Sequence, residues 1–381
     1  MDVLAELRKE LAELEARGLR RVLPPIEELA GPRLRLRGRW LLNLSSNDYL
    51  GLAQRMDLEE ISREVGSTGA GASRLLSGNH PLYQRLEEKL VALYGRPALV
   101  FSSGYTANLA ILSTLCGAKD VVFADKLVHA SLIDGLRLSG AAFHRYAHLD
   151  LDHLERLLAR HRSRYKRALI VTESVFSMDG DVPDLARLVE LKERYQALLF
   201  VDEAHAVGVF GKEGLGIAEE LSLIPQIDLL LATFGKALGS YGAFLVTHPE
   251  IRDYLVTKAR PFIFTTGLPP LVVAASLRGL EEAVRAGARR RHLRDLSRWF
   301  RGALGLPSEG LAAETPIVPY VVGENERALQ LSARLAEAGF YAPAIRPPTV
   351  PPGTARLRFS LTADLSPRDL EPLVELLRKE G

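Results

Sequence analysis

The sequence predicts an α/β protein: a mainly parallel seven-stranded sheet with helices on both faces, followed by a smaller α+β domain. Three observations predict it. Short apolar runs alternate with helical segments at Ala98–Phe101, Asp120–Phe123, Ala141–Tyr146, Ala168–Thr172, Ala197–Val201, Asp228–Thr233 and Gly242–Val246. Continuous β-branched or Leu-rich runs separated by helices indicate strands buried on both faces, hence a parallel sheet. Beyond Pro269-Pro270 the texture changes, to a long helical pattern and then a strand–helix–strand–helix tail.

At the N-terminal end Leu4, Leu7, Leu11 and Leu14 recur at helical spacing and Gly18 is placed to stop the helix. Such a stripe docks on the chain's own body or on a second subunit. Arg33, Arg35 and Arg37 alternate with Leu34 and Leu36 before Gly38, the pattern of a hairpin with one solvated face. Right-handed crossovers between the seven strands bring the loops that follow them to one sheet edge, where open α/β sheets bind ligands. The long helix reaches roughly Phe300, followed by a strand at Ile317–Val322, a helix at Arg327–Ala338, a strand at Ala355–Leu361 and a helix at Arg368–Lys379. A rigid Pro-rich loop, Ile345–Gly353, lies within that tail. The expected division is an N-terminal segment over 1–45, a large domain over 46–270 and a small domain over 271–381.

Composition bounds the function. Of the 381 residues 47% are apolar and 25% charged, which supports a large core. A net charge of +2 argues against nucleic acid or an anionic membrane as the main partner. The single Cys116, in an apolar stretch, excludes a disulfide framework and a Cys-based zinc site, and suits the reducing cytoplasm. Asp2, Glu6 and Glu10 interrupt the N-terminal stretch, so no signal peptide is expected, and no apolar run is long enough to span a membrane. No P-loop or dinucleotide fingerprint occurs, and the histidines at 144, 148, 153 and 161 lack metal-ligand spacing; no metal is expected.

Polar residues where strands end carry the chemistry. Asp202-Glu-Ala-His205 follows one strand; a carboxylate there suits a metal, a ribose or a protonated ring nitrogen, or simply caps the next turn. Lys236, in Thr233-Phe-Gly-Lys236, is placed to form a Schiff base. Ser102-Ser-Gly-Tyr-Thr106 opens a helix, whose free N–H groups and dipole suit a phosphate. His129 follows another strand, where an imidazole can lie flat on a planar ligand. Phosphate, planar pyridine ring and aldehyde describe one reagent, pyridoxal 5'-phosphate (PLP).

With these residues in view the chain resembles the α-oxoamine synthases, a branch of the fold-type-I PLP-dependent transferases. The resemblance is carried by Asn43–Gly51, Gly69–Gly78, Ser103–Asn108, Val128–Ser131, Glu173–Asp181, Asp202–His205, Thr233–Gly239 and Ile345–Thr349. It implies that Lys236 carries the cofactor, Asp202 pairs with the pyridinium nitrogen, His129 stacks on the ring, and His205 and Ser177 approach its phenolic side. Gly104, Tyr105 and Thr233 are implied for ring or phosphate contacts, and Thr265 and Thr266 for the phosphate of a neighbouring subunit in a homodimer. Arg346 is implied to hold the amino-acid carboxylate, with Arg20, Asn47, His129 and Thr349 lining the substrate side. The implied reaction is a decarboxylative Claisen condensation of L-alanine with a pimeloyl thioester of CoA or a carrier protein; glycine with acetyl-CoA is the alternative. An aminotransferase and a non-catalytic PLP-binding protein are the more distant readings. Two departures stand out: Tyr105 where Phe is usual, and Ser174 where Gly is common.

Overall fold

The computed structural model describes residues 2–379, which form two compact units. One comprises the chain up to Gly51, Met178–Gly180 and the chain from His292; the other comprises Leu52–Ser177 and Asp181–Arg291.

The first unit begins with a helix over Val3–Ala16, whose opening N–H groups at Leu4 and Ala5 are accepted by the Asp2 carboxylate. None of its residues is buried, so the leucine stripe does not dock on the chain's own body, one of the two seats expected for it. Strands β1 (Ile26–Ala30), β2 (Arg33–Leu36) and β3 (Arg39–Asn43) follow as an antiparallel meander. The hairpin expected at Gly38 is present. Arg37 and Gly38 both take positive φ, 51° and 73°, the backbone that a two-residue turn between twisted strands requires. Strand β1, with every residue exposed, has no apolar pattern and was not legible in the sequence.

The second unit holds β4 (Ala98–Phe101), β5 (Asp120–Asp125), β6 (Ala142–Tyr146), β7 (Arg167–Glu173), β8 (Leu198–Asp202), β9 (Leu229–Thr233) and β10 (Ala243–Thr247). They form one seven-stranded sheet in the order β4-β10-β9-β8-β7-β5-β6. All neighbours are parallel except β10, which runs antiparallel to both β4 and β9. Phe101, Val122, Val171, Phe200, Leu231 and Leu245 line one face and share a core with Ala107, Ile111, Leu132 and Leu136 of the covering helices. Burying each large side chain contributes about 1.5–3 kcal/mol. The chain leaves β5 for β6 on one side and returns to β7 on the other. At that reversal the C-terminal strand ends open a crevice between loops. The expected helix over 270–300 is two, Pro270–Arg285 and Gly287–Ala303, broken at Ala286.

Back in the first unit, β11 (Ile317–Gly323), β13 (Ala344–Ile345) and β14 (Ala355–Ser360) form an antiparallel sheet, and β12 (Phe340–Tyr341) pairs in parallel with β3. Helices over Asn325–Glu337 and Pro367–Arg378 complete it. Among the described residues no helix is long and apolar enough to cross a membrane.

Candidate active site

In the second unit the expected residues collect at the C-terminal ends of β4, β5, β7, β8 and β9, which parallel pairing brings to one edge. Beyond β4, Ser103 caps the helix Gly104–Leu115: its hydroxyl accepts from Thr106 N–H at 3.1 Å, while Thr106 Oγ1 accepts from Ser103 N–H at 3.0 Å. This reciprocal cap leaves Gly104 and Tyr105 in the helix's first turn, at the positive end of its dipole. The Tyr105 hydroxyl, absent from the more usual Phe, donates to Asp134. Its ring stands edge-on to His129, with centroids 6.3 Å apart.

Asp202, the last residue of β8, is buried. Its Oδ1 accepts from Ala204 N–H and its Oδ2 from Asn108 Nδ2, both at 3.0 Å. These neutral donors leave the buried anion without a compensating cation. Asn108 also donates to Ser131 Oγ at 2.9 Å, and Ser131 Oγ lies 2.7 Å from His129 Nδ1. His129 caps the helix Ala130–Ser139 by accepting from Ser131 N–H, and remains an exposed residue, its ring free to cover a ligand. Its own backbone N–H donates to Glu173 Oε1 at 2.6 Å. Glu173 is buried opposite Asp202 across the β7–β8 ladder. Burial first, then the Asp202 charge, push its pKa up to about 8.

Beyond β9, Lys236 is half-buried and its Nζ lies 2.7 Å from Nε2 of buried His205. The Thr233 hydroxyl donates to Gly242 O at 2.7 Å and accepts from Gly235 N–H, so it shapes the lysine loop itself. Gly239 closes that loop at φ 63°, where a Cβ would stand 2.6 Å from Ala53 N; no other residue fits. Ser174, the second departure, donates to Glu203 Oε2 at 2.7 Å. Burial pushes the Glu203 pKa up to about 7 against this bond and those from Ala218 and Ile217 N–H. Ser177 lies in the turn after β7.

The remaining expected residues fall elsewhere. In the first unit Arg20 pairs with Glu15 at 2.6 Å, while its neighbour Arg21 donates to Thr349 Oγ1 at 2.9 Å. Arg346 donates to Gly18 O, and burial followed by the nearby Arg21 charge lowers its pKa. Asn47 Oδ1 accepts from both terminal nitrogens of buried Arg358 at 3.2 Å, which turns its amide nitrogen the other way. In the second unit Thr266 is exposed and Thr265 half-buried, in a loop pinned by Gly267 N–H to Ala72 O at 3.0 Å.

Sequence reasoning missed Asn108, Ser131, Glu173 and Arg358 as site residues. A signal existed for the first: Asn108 is a polar residue on the buried face of an otherwise apolar helix, beside Ala107, Ala110 and Ile111.

These residues fit PLP. A buried carboxylate lacking a cation suits a protonated pyridine nitrogen, and the buried Asn108 Oδ1 finds no partner in the protein. A half-buried lysine and a capped helix N-terminus supply the groups for an aldehyde and a phosphate. Residues 39–377 match the family model "Aminotransferase class I and II". The chain is 48% identical to the 8-amino-7-oxononanoate synthase of Haemophilus ducreyi, covering 97% of this chain and 99% of that protein. It is 45% identical to the protein of the same name from Chlorobaculum parvum, covering 99% of each. Among solved structures, a serine palmitoyltransferase from S. paucimobilis with PLP–myriocin bound superposes with a TM-score of 0.91 at 31% identity, covering 100% of this chain and 98% of that one. By sequence, fold and the fit of its site to PLP, the chain belongs to the aminotransferase class I and II family, in its α-oxoamine synthase branch.

Proposed function

We propose that the protein condenses L-alanine with a pimeloyl thioester, of CoA or a carrier protein, releasing CO2 and the thiol and giving 8-amino-7-oxononanoate, a step of biotin biosynthesis. The observation that carries this reading is 48% identity, over essentially the whole length, to a relative bearing that enzyme's name. When bound, PLP supplies an aldehyde that takes up an amine and a ring that accepts the electrons released at the substrate's Cα.

The chain's own residues supply the rest. Lys236 Nζ holds the cofactor and takes and returns the Cα proton, with His205 beside it at 2.7 Å to keep that amine in place. The Asp202 anion keeps a proton on the ring nitrogen, because an adjacent negative charge favours the charged form. His129 covers the ring, and Gly104 and Tyr105 open the helix that receives the phosphate. Arg346 takes the amino-acid carboxylate, with Asn47 and Thr349 beside the substrate. Arg20 takes the far carboxylate of the acyl donor, leaving Glu15 to do so. Thr265 and Thr266, outside the network described above, serve the phosphate of a second copy in a homodimer. The exposed leucines of the first helix give that copy a further apolar seat.

Thiol release measured with alanine, glycine or serine against pimeloyl-CoA, acetyl-CoA and a long acyl-CoA tests the reading. Alanine with pimeloyl-CoA is expected to give the highest kcat/KM. A preference for glycine with acetyl-CoA would replace it with the alternative reaction.

A further inference from the structure

We propose that Asn108 and Ser131 set the tautomer of His129, holding its ring neutral with the proton on Nε2, so that His129 meets substrate as a hydrogen-bond donor and not as a base. The polarity of the chain of bonds is dictated from its buried end. Asn108 faces the Asp202 carboxylate at 3.0 Å, and a flipped amide would set two acceptors against each other, so Nδ2 must point there. The same nitrogen lies 2.9 Å from Ser131 Oγ and donates to it. Ser131 then has its own hydroxyl proton to give, and His129 Nδ1 is 2.7 Å away. Independently, the backbone N–H of Ser131 points at the same Nδ1 at 3.3 Å. With two donors converging on it, Nδ1 carries a lone pair, and the ring's one proton sits on Nε2. Partial burial, the largest influence on this ring, also favours the neutral form over the attraction of Asp202.

Asn108 and Ser131 are therefore positioning residues. They couple the carboxylate that faces the cofactor's nitrogen to the group that covers its face. The consequence for the reaction rests on the proposed condensation: Nε2–H is available to the thioester or ketone oxygen, and proton abstraction falls to Lys236.

Nitrogen NMR of the holoenzyme labelled with 15N-histidine reads the tautomer directly, near neutral pH. The signals absent from His129→Asn identify the ring. Wild type is expected to show an unprotonated Nδ1 and a protonated Nε2. In Ser131→Ala and in Asn108→Leu, whose near-isosteric side chain keeps the volume, the two signals are expected to move toward each other as the tautomers mix. A proton on Nδ1 in wild type, or an imidazolium, overturns the proposal even if neither variant folds. Folded, PLP-loaded variants with unmoved signals overturn it as well. Ser131→Ala should also lower kcat roughly 2- to 10-fold with the KM for amino acid unchanged, the loss of one neutral hydrogen bond. An unchanged kcat overturns the donor role. A failure of thiol release in wild type would instead reject the condensation while the spectra still decide the tautomer.

Discussion

Asp202 illustrates how one side chain's worth depends on its surroundings. It is buried and held by Asn108 and Ala204 N–H, so its charge is fixed in place before any ligand arrives. Asp202→Asn keeps the shape and removes the charge; kcat is expected to fall by about 10²–10³, the usual effect of losing one preorganised electrostatic partner. Steady-state assay of the PLP-saturated variant checks it, and a rate within a few-fold of wild type would refute the assignment. Cys116 is the opposite case. Burial, reinforced by the Asp120 charge, pushes its thiol up to about 12, so it is protonated and inert in the folded protein. A thiol reagent at pH 8 is expected to leave the native enzyme unlabelled and to modify one thiol after denaturation. Arg20 carries the test of the acyl donor. Arg20→Ala should lower kcat/KM for pimeloyl-CoA on the order of 10- to 150-fold, one charge-assisted contact, and scarcely affect a monocarboxylic acyl-CoA of similar length. Equal losses on both donors would remove Arg20 from the donor site.

At the scale of elements, the turn that follows β7 and carries Ser177 is clamped by a histidine. His148 bonds Asp125, at the end of β5, with Nδ1 at 2.9 Å and Asp181, at the end of the turn, with Nε2 at 3.0 Å. Phe176 N–H closes the turn on Asp181 O at 2.9 Å, and its ring meets His148 edge-on. Burial opposes the charge, but the two carboxylates outweigh it and raise the His148 pKa to about 9. A folded value above the unfolded one means that the protonated clamp stabilises the fold fully below about pH 6.5. That contribution is lost as pH rises through about 9. Relative to His148→Gln, wild type is expected to lose roughly 1–2 kcal/mol between pH 6 and 9.5, after discounting for solvent screening. Urea melts of both proteins at the two pH values check this; parallel pH profiles would show that the clamp is not charged.

At the scale of the whole molecule, the proposed homodimer predicts active sites built from two copies. Neither Lys236→Ala nor the double variant Thr265→Ala/Thr266→Ala should retain much activity alone. Mixed and allowed to exchange subunits, they form hybrids in which one of two sites draws Lys236 and both threonines from intact copies. Activity is expected to reappear on mixing, up to about a quarter of wild type for random exchange between isologous copies. No recovery, with exchange demonstrated by mass or by labelling, would place the threonines outside a shared site.

Local pattern settled much of this protein. Continuous apolar runs at β4, β5 and β7–β10 must be buried on both faces, and parallel pairing then carries whatever follows each strand to one edge. For that reason Lys236, Asp202, His129 and His205 could be nominated from the sequence, and the structure assembles them there. What the sequence left open depends on contacts between residues far apart in the chain. The short strands β1, β12 and β13 exist because partners hold them, as Phe340 pairs with Leu42. Asn108 and Asp202 are 94 positions apart, Glu173 and His129 are 44, and Arg358 and Asn47 are 311. Periodicity records which face of an element is apolar, whereas the polarity of a hydrogen bond between two such faces is decided only when packing brings donor and acceptor together. Tertiary structure alone made Asn108 a donor to Asp202, and with it determined where the proton of His129 resides.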